Sequence, residues 1–282
     1  MGFLALEAKM NTAFKRSDNW GVFNERVATD FQIRPGYARE ALSVLDAELY
    51  QTGGSARVAD IGAGTGIFTR QIAELVTNAK CVVGIEPSDE MRRVAAKQPC
   101  ARPVEYIPGS AEDLPYPALP YDLVTAAMAA HRFNRPLFFD AIPKILRVGG
   151  VVAFVDNLPR QNASRLHDAY LTLQETYVPD FRRGMNTNGE TGGYFFLDLA
   201  GEMERHGAFK DVRQFQWDND YYLDEETFRT FANSSTISLR IIEKIGKSEF
   251  SQRIKNIFLE ANKNDSNMKL TYATKLVIGR LR

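Results

Sequence analysis

Strand-forming and helix-forming segments alternate between residues 57 and 155, and this alternation limits the fold more than any other feature of the chain. Short runs rich in β-branched and apolar residues occupy 57–61, 81–85, 104–107, 122–126 and 151–155. Amphipathic stretches at 66–75, 90–97 and 135–146 separate them, the last closed by Gly149-Gly150 as a helix stop and turn. Strand, helix, strand at this spacing demands right-handed crossovers between parallel strands. The expectation is an α/β domain with a mostly parallel sheet and helices on both faces.

The rhythm breaks after Asp156. Residues 157–206 read as helix and loop, rich in aromatics and in turn formers such as Arg182-Arg183-Gly184, Gly189 and Gly192-Gly193. Strand-like runs return at 212–217 and 269–278, with a mixed helical stretch between them. Residues 1–55 read as mostly helical, with a turn at Arg34-Pro35-Gly36. No repeat or low-complexity linker interrupts the chain, so 1–282 is expected to form a single domain with an N-terminal helical extension and an insertion.

Charge excludes some partners. Lys and Arg together number 35, as do Asp and Glu, so the formal charge is zero. A neutral chain has no global attraction to nucleic acid or to an anionic membrane. Cys81 and Cys100 are too few for a disulfide framework and lack metal-site spacing. No apolar run approaches the ~18 residues of a membrane span. The first residues lack the layout of a signal peptide, and Gly2 lacks the Ser or Thr of a myristoylation signal. A soluble cytoplasmic protein, monomer or homodimer, is expected.

Val58-Ala59-Asp60-Ile61-Gly62-Ala63-Gly64-Thr65-Gly66 lies where a strand turns into a helix. Glycines there permit positive φ and close approach of a ligand to the backbone. The spacing is not that of a dinucleotide site, because Ile67 stands where its third glycine belongs. No Lys-Ser/Thr follows, so a phosphate-cradling P-loop is excluded as well. Asp60 at the strand end disfavours an anion and favours a cation. A second acid, Glu86, ends the next strand, where such folds place a residue that takes ribose hydroxyls. A nucleoside with a cationic, amino-acid-like tail fits both acids, and S-adenosylmethionine (SAM) meets that description.

With these residues in view, 58–66 resembles motif I of the class I SAM-dependent methyltransferases, and Glu86 matches their ribose-binding acid. Gly109-Ser110-Ala111-Glu112-Asp113-Leu114-Pro115 resembles the segment that holds adenine. Arg147-Val148-Gly149-Gly150 resembles their R-P-G-G turn, with Val148 replacing the proline. Arg34-Pro35-Gly36-Tyr37 and Ala129-Ala130-His131-Arg132-Phe133 are similar to segments of the trans-aconitate-methyltransferase-like small-molecule enzymes. Ala130 and Arg132 replace the Phe and Trp of that group. The resemblance covers residues 20–156 and is weak beyond. It implies a Rossmann-like seven-stranded sheet. It also implies a division into a lid at 1–55, a SAM-binding core at 56–156, a substrate cap at 157–206 and a C-terminal part at 207–282.

Site residues follow from the motif and the resemblance together. Asp60, Gly62, Gly64 and Gly66 are expected to hold the methionine moiety and Glu86 the ribose. Pro87, Met91, Ser110, Ala111 and Glu112 are expected around the adenine, although Pro87 and Met91 also read as simple packing. Arg34 and Tyr37 would close over the cofactor. Trp20, Arg132, Tyr170, Tyr177, Arg182 and Tyr194 are candidates for the acceptor pocket; the aromatics read equally as the core of the insertion. His131 after the fourth strand is the candidate general base or, alternatively, a hydrogen-bonding wall residue. Asp156-Asn157 resembles the acid–amide pair of Mg²⁺-dependent catechol methyltransferases, but the acid needed after strand four is missing, so no metal is expected.

The expected activity is methyl transfer from SAM to a small organic acceptor, with S-adenosylhomocysteine as the product. A cyclase or decarboxylase of the same fold is the alternative. A nucleic-acid methyltransferase is disfavoured by the neutral charge and by the lack of an N/D-P-P-Y-type motif.

Overall fold

The computed structural model describes residues 29–160, 164–183, 197–261 and 268–282. After a 3-10 turn at Phe31–Ile33, the chain forms α1 (Arg39–Glu48), β1 (Ala56–Ile61), α2 (Ile67–Leu75), β2 (Ala79–Ile85) and α3 (Asp89–Lys97). Then come β3 (Glu105–Ile107), β4 (Tyr121–Ala127), α4 (Arg135–Ile145), β5 (Leu146–Pro159) and α5 (Arg165–Tyr177). The remainder is α6 (Leu199–His206), β6 (Phe209–Leu223), α7 (Glu225–Asn233), α8 (Thr236–Ile245), α9 (Lys247–Ala261) and β7 (Met268–Leu281).

The seven strands make one sheet in the order β3-β2-β1-β4-β5-β7-β6. Strands one to five pair in parallel, and β7 runs antiparallel to both of its neighbours. This is the expected Rossmann-like class I methyltransferase sheet. The chain leaves β1 toward β2 and β3, then returns to place β4 on β1's other side. A crevice therefore opens at the carboxyl ends of β1 and β4, where open α/β sheets bind ligands.

Each face of the sheet buries its own apolar layer. One side packs α4 and α6 (Phe138, Ile142, Leu199, Met203) on Ala59, Ile61, Val152 and Phe154. The other packs α1 and α2 (Leu42, Leu45, Phe68, Ile72) on Val58, Val151, Ala153, Val155 and Ile278. The central strands are apolar on both faces for this reason.

A third apolar cluster lies apart from both. It joins α5, α7, α8 and α9 through Leu166, Tyr170, Phe228, Phe231, Ile241 and Phe250, and takes in Leu223 and Leu270. Those two residues are the last of β6 and an early one of β7, so this helical layer sits at the carboxyl edge of β5. Leu239 of α8 packs against Met91 and Val94 of α3, carrying the layer across to the far side of the crevice.

Two local differences from the sequence reading have clear causes. Gly149-Gly150 does not end a helix: β5 already begins at Leu146, and Gly149 adopts φ 74° at an irregularity where Tyr121 pairs Leu146 but Leu123 pairs Val151. Of residues 157–206, the first three continue β5 and the last eight form α6 against the sheet, because Leu199, Ala200 and Met203 present an apolar stripe to it.

Candidate active site

Gly62, Gly64 and Gly66 all have positive φ, at 71°, 55° and 77°. A Cβ on Gly62 would meet the Ala129 methyl at 2.7 Å, and one on Gly66 would collide with the Tyr106 hydroxyl. Gly64 differs: nothing lies within 4 Å of the place its Cβ would take. Two glycines thus let the loop pack tightly, and the middle one leaves open space above the backbone. The loop is held beneath by the Gly62 and Ala63 N–H groups, which donate to the Ile85 carbonyl at 2.8 and 3.1 Å.

Both sequence-predicted acids are here, in different roles. Asp60 is 1% exposed, and its two oxygens accept from the hydroxyls of Thr69 (2.6 Å) and Thr125 (2.8 Å). Burial raises its pKa to about 6 against those two hydrogen bonds. It ties α2 and β4 to the end of β1, under the glycine loop. Glu86 accepts from the Gly64 N–H at 2.9 Å and from the Ser88 N–H at 2.9 Å. Burial also raises its pKa, opposed by those two N–H groups and by Arg132 and Arg92.

The segment 31–38 crosses the crevice edge. Gln32 donates to the Thr65 carbonyl at 3.0 Å, and Arg70 donates to both Thr65 O and Gln32. Tyr37 is buried, exchanges two backbone hydrogen bonds with the Gln71 carboxamide, and packs edge-on to Phe68. At the other end Asn157 donates to Gly36 O (3.1 Å), Asn219 donates to Gly36 O (2.9 Å), and Tyr221 donates to Ile33 O (2.6 Å). Arg34 leaves this segment toward the helical layer, its guanidinium 4.7 Å from the Phe231 ring centre. Among the described residues the strap thus joins the glycine loop to β5, β6 and the helical layer.

Around the expected adenine position, Ser110 closes a turn with Asp113, whose N–H donates to Ser110 Oγ at 3.1 Å. Ala111 is buried. Glu112 accepts from the Asn134 N–H at 2.8 Å and so fixes the start of α4. Pro87 is half-buried at the start of the Ser88 cap, and Met91 is buried between α3 and α8.

His131 and Arg132 form a 3-10 turn after β4. The Arg132 Nε–H donates to His131 Nε2 at 3.4 Å, and the guanidinium acts electrostatically on Glu86. Burial, with Arg132 and Arg135 nearby, lowers the His131 pKa to about 3. The imidazole is therefore neutral at ordinary pH and a weak proton acceptor.

Two of the acceptor-pocket candidates, Tyr170 and Tyr177, fall in the helical layer. Tyr170 is buried, its hydroxyl 3.0 Å from Ser238 Oγ and donating to Ala232 O at 3.3 Å. Tyr177 packs at the edge of that layer beneath Arg253. Arg182 is exposed and donates to the carbonyls of Pro179 and Phe181. Arg183 pairs with Glu175 and Asp168. The two arginines thus bind their own loop and helix. Trp20 and Tyr194 lie outside the described residues.

The sequence reading missed Thr69, Thr125, Gln32 and Arg70, which are ordinary polar residues with no motif to mark them. A further feature is Met128, at φ 48° just after β4, whose sulfur accepts from the Asn157 N–H at 3.1 Å. A non-glycine residue in that region is strained and typical of functional turns. Among the described residues no group of three His, Cys, Asp or Glu side chains is placed to hold a metal ion, and no helix is long and apolar enough to cross a membrane.

A family described as a methyltransferase domain matches residues 59–154. The chain is 34% identical over 167 residues to an "Uncharacterized methyltransferase" of Geobacillus thermodenitrificans, covering 57% of this chain and 74% of that one. It is 37% identical over 118 residues to a Dictyostelium discoideum "Putative methyltransferase", a match that spans only 42% of either protein. A solved structure from Anaeromyxobacter dehalogenans, a "Putative Type II Methyltransferase", superposes with a TM-score of 0.60 at 20% identity, over 88% of this chain and 97% of that one. The sheet order, the glycine loop with its two acids and these relatives together place the chain among the class I methyltransferases.

Proposed function

We propose that this chain transfers a methyl group from SAM to a small organic acceptor. The observation that carries the reading is Gly64, open above and with its N–H held by Glu86, at the switch point of the sheet. A SAM methionine chain fits the open face of that loop, and the remaining lone pairs of Glu86 suit ribose hydroxyls. The turn at 109–115 and Met91 would flank the base. Asp60 would act from beneath the loop, where it is 1% exposed and anchored by Thr69 and Thr125. When bound, SAM supplies an activated methyl on a sulfonium leaving group.

The protein's task is then alignment and exclusion of water. The 31–38 strap, lid-like across the loop, and the helical layer of α5 with α7–α9 would enclose the acceptor. His131 would orient the acceptor or the 130–132 turn as a neutral ring. Calorimetric titration with S-adenosylhomocysteine tests the reading. Micromolar binding to the wild type, lost in Glu86→Ala, supports it; no binding to folded wild-type protein removes it.

A further inference from the structure

Asp156 lies near the carboxyl end of β5, one residue beyond Val155, which pairs with Ala127 at the end of β4. Val152 and Phe154 precede it on the same pleat face and pack on the α4 side. Alternation turns its side chain toward that side, where the 130–132 turn follows β4. Asn157 points the other way, and its carboxamide is consumed by Thr274 and by the Gly36 carbonyl.

The Asp156 side chain has no such partner. It is 8% exposed, and among the described residues no hydrogen bond or ion pair reaches its carboxylate. Lys275, its cross-strand neighbour on β7, is exposed and acts on it from beyond ion-pair distance. The chain neighbours of Asp156 fix where this strand end lies: Val155 O accepts from the Met128 N–H at 2.8 Å, and Asn157 donates to Gly36 O of the strap at 3.1 Å, so the end of β5 borders the crevice. Burial raises the Asp156 pKa to about 6. Its oxygens are not fully enclosed, so what exposure the residue keeps lies at their tips, and a carboxylate this far from bulk water gains from a donor that a ligand brings.

We propose that Asp156 is the acceptor-binding carboxylate of the methyl-transfer site and that the acceptor it selects is an amine. The inference rests on the SAM reading above. With Asp60, Glu86 and Asp156 all at this crevice, an anionic nucleophile meets like charge, whereas an amine gains positive charge as it reacts. The uncharged amine would donate an N–H to Asp156, aiming its lone pair at the methyl carbon. The N–C bond forms as the C–S bond breaks, and the electron pair of that bond stays on sulfur. The nitrogen, now cationic, passes its extra proton to the Asp156 carboxylate and thence to water.

The test compares two ligands by calorimetry. S-adenosylhomocysteine lacks the methyl, whereas sinefungin carries a primary ammonium beside the place the methyl occupies. Wild-type protein is expected to bind sinefungin about tenfold more tightly, as one charge-assisted hydrogen bond allows. Asp156→Asn should bind S-adenosylhomocysteine within about twofold of wild type and lose the preference. Asp156→Glu should keep the preference. Equal wild-type affinities overturn the proposal without any variant, as does a preference that survives in Asp156→Asn. Loss of S-adenosylhomocysteine binding in folded Asp156→Asn also overturns it, by moving Asp156 into the cofactor site. Failure of both ligands to bind wild type instead brings down the SAM reading itself.

Discussion

The backbone N–H of Gly64 donates to Glu86 Oε2 at 2.9 Å, so the carboxylate that ends β2 sets the shape of the loop that ends β1. Its other oxygen holds the Ser88 N–H, which begins α3. Glu86 is thus both a ligand candidate and the clasp of the crevice. Glu86→Gln keeps the size but sets an amide donor against one of the two N–H groups. We expect at least a tenfold loss of S-adenosylhomocysteine affinity by calorimetry, as a hydrogen bond to a charged group is worth about 1.5–3 kcal/mol.

Gly64 and Gly66 make a paired prediction. Gly64→Ala meets open space and bears only the cost of a left-handed alanine, about 1 kcal/mol in urea denaturation. Its methyl group fills the proposed ligand face, so binding of S-adenosylhomocysteine should fall far more than stability does. Gly66→Ala adds a collision with Tyr106 to the same backbone strain and should lose more stability, about 2–3 kcal/mol. Similar stability losses in the two variants would contradict this account of the loop.

His131 sets a pH expectation. Its pKa is lowered to about 3, so it stays neutral from pH 5 upward. Once an acceptor is in hand, the rate should show no inflection near pH 6.5 that His131→Gln removes. An inflection of that kind would restore the histidine as general base.

Asp156 gives a stability prediction of definite sign. Its folded pKa is about 6 against about 3.9 unfolded, so between these values the folded protein holds more protons. Its contribution therefore favours folding at low pH and is lost as pH rises from about 4 through about 6. Asp156→Asn should raise stability at pH 7.5, by on the order of 2 kcal/mol, and have little effect at pH 4. Urea denaturation at the two pH values checks this. A variant less stable than wild type at pH 7.5 would mean that the carboxylate has a partner in the fold.

Much of the architecture was legible because it is local. The period of the strand runs, the helix-length gaps between them and the turn at Gly62–Gly66 reflect neighbours in the chain, and they led to the parallel sheet and its crevice. Glu86 was equally legible, since a strand end fixes where its side chain emerges. The last two strands were visible as short runs at 212–217 and 269–278, yet they extend over Phe209–Leu223 and Met268–Leu281. The added length comes from pairing with each other, which a single strand's composition does not reveal.

The order of residues carries the α/β class, the glycine loop and the two acids that mark it. What those groups have left to give depends on neighbours that folding supplies. In the sequence Asp60 reads as open to a cation, but Thr69 and Thr125, nine and 65 residues away, anchor its two oxygens beneath the loop and leave it 1% exposed. Arg34 meets Phe231, and helices α7–α9 join α5 in one layer, although β6 and other elements separate them in the chain. Asp156 and Asn157 are adjacent and polar alike; strand alternation sends one to a carboxamide–hydroxyl network and leaves the other without a donor. Hydrogen-bond satisfaction depends on partners that folding brings from afar, and periodicity carries no record of them.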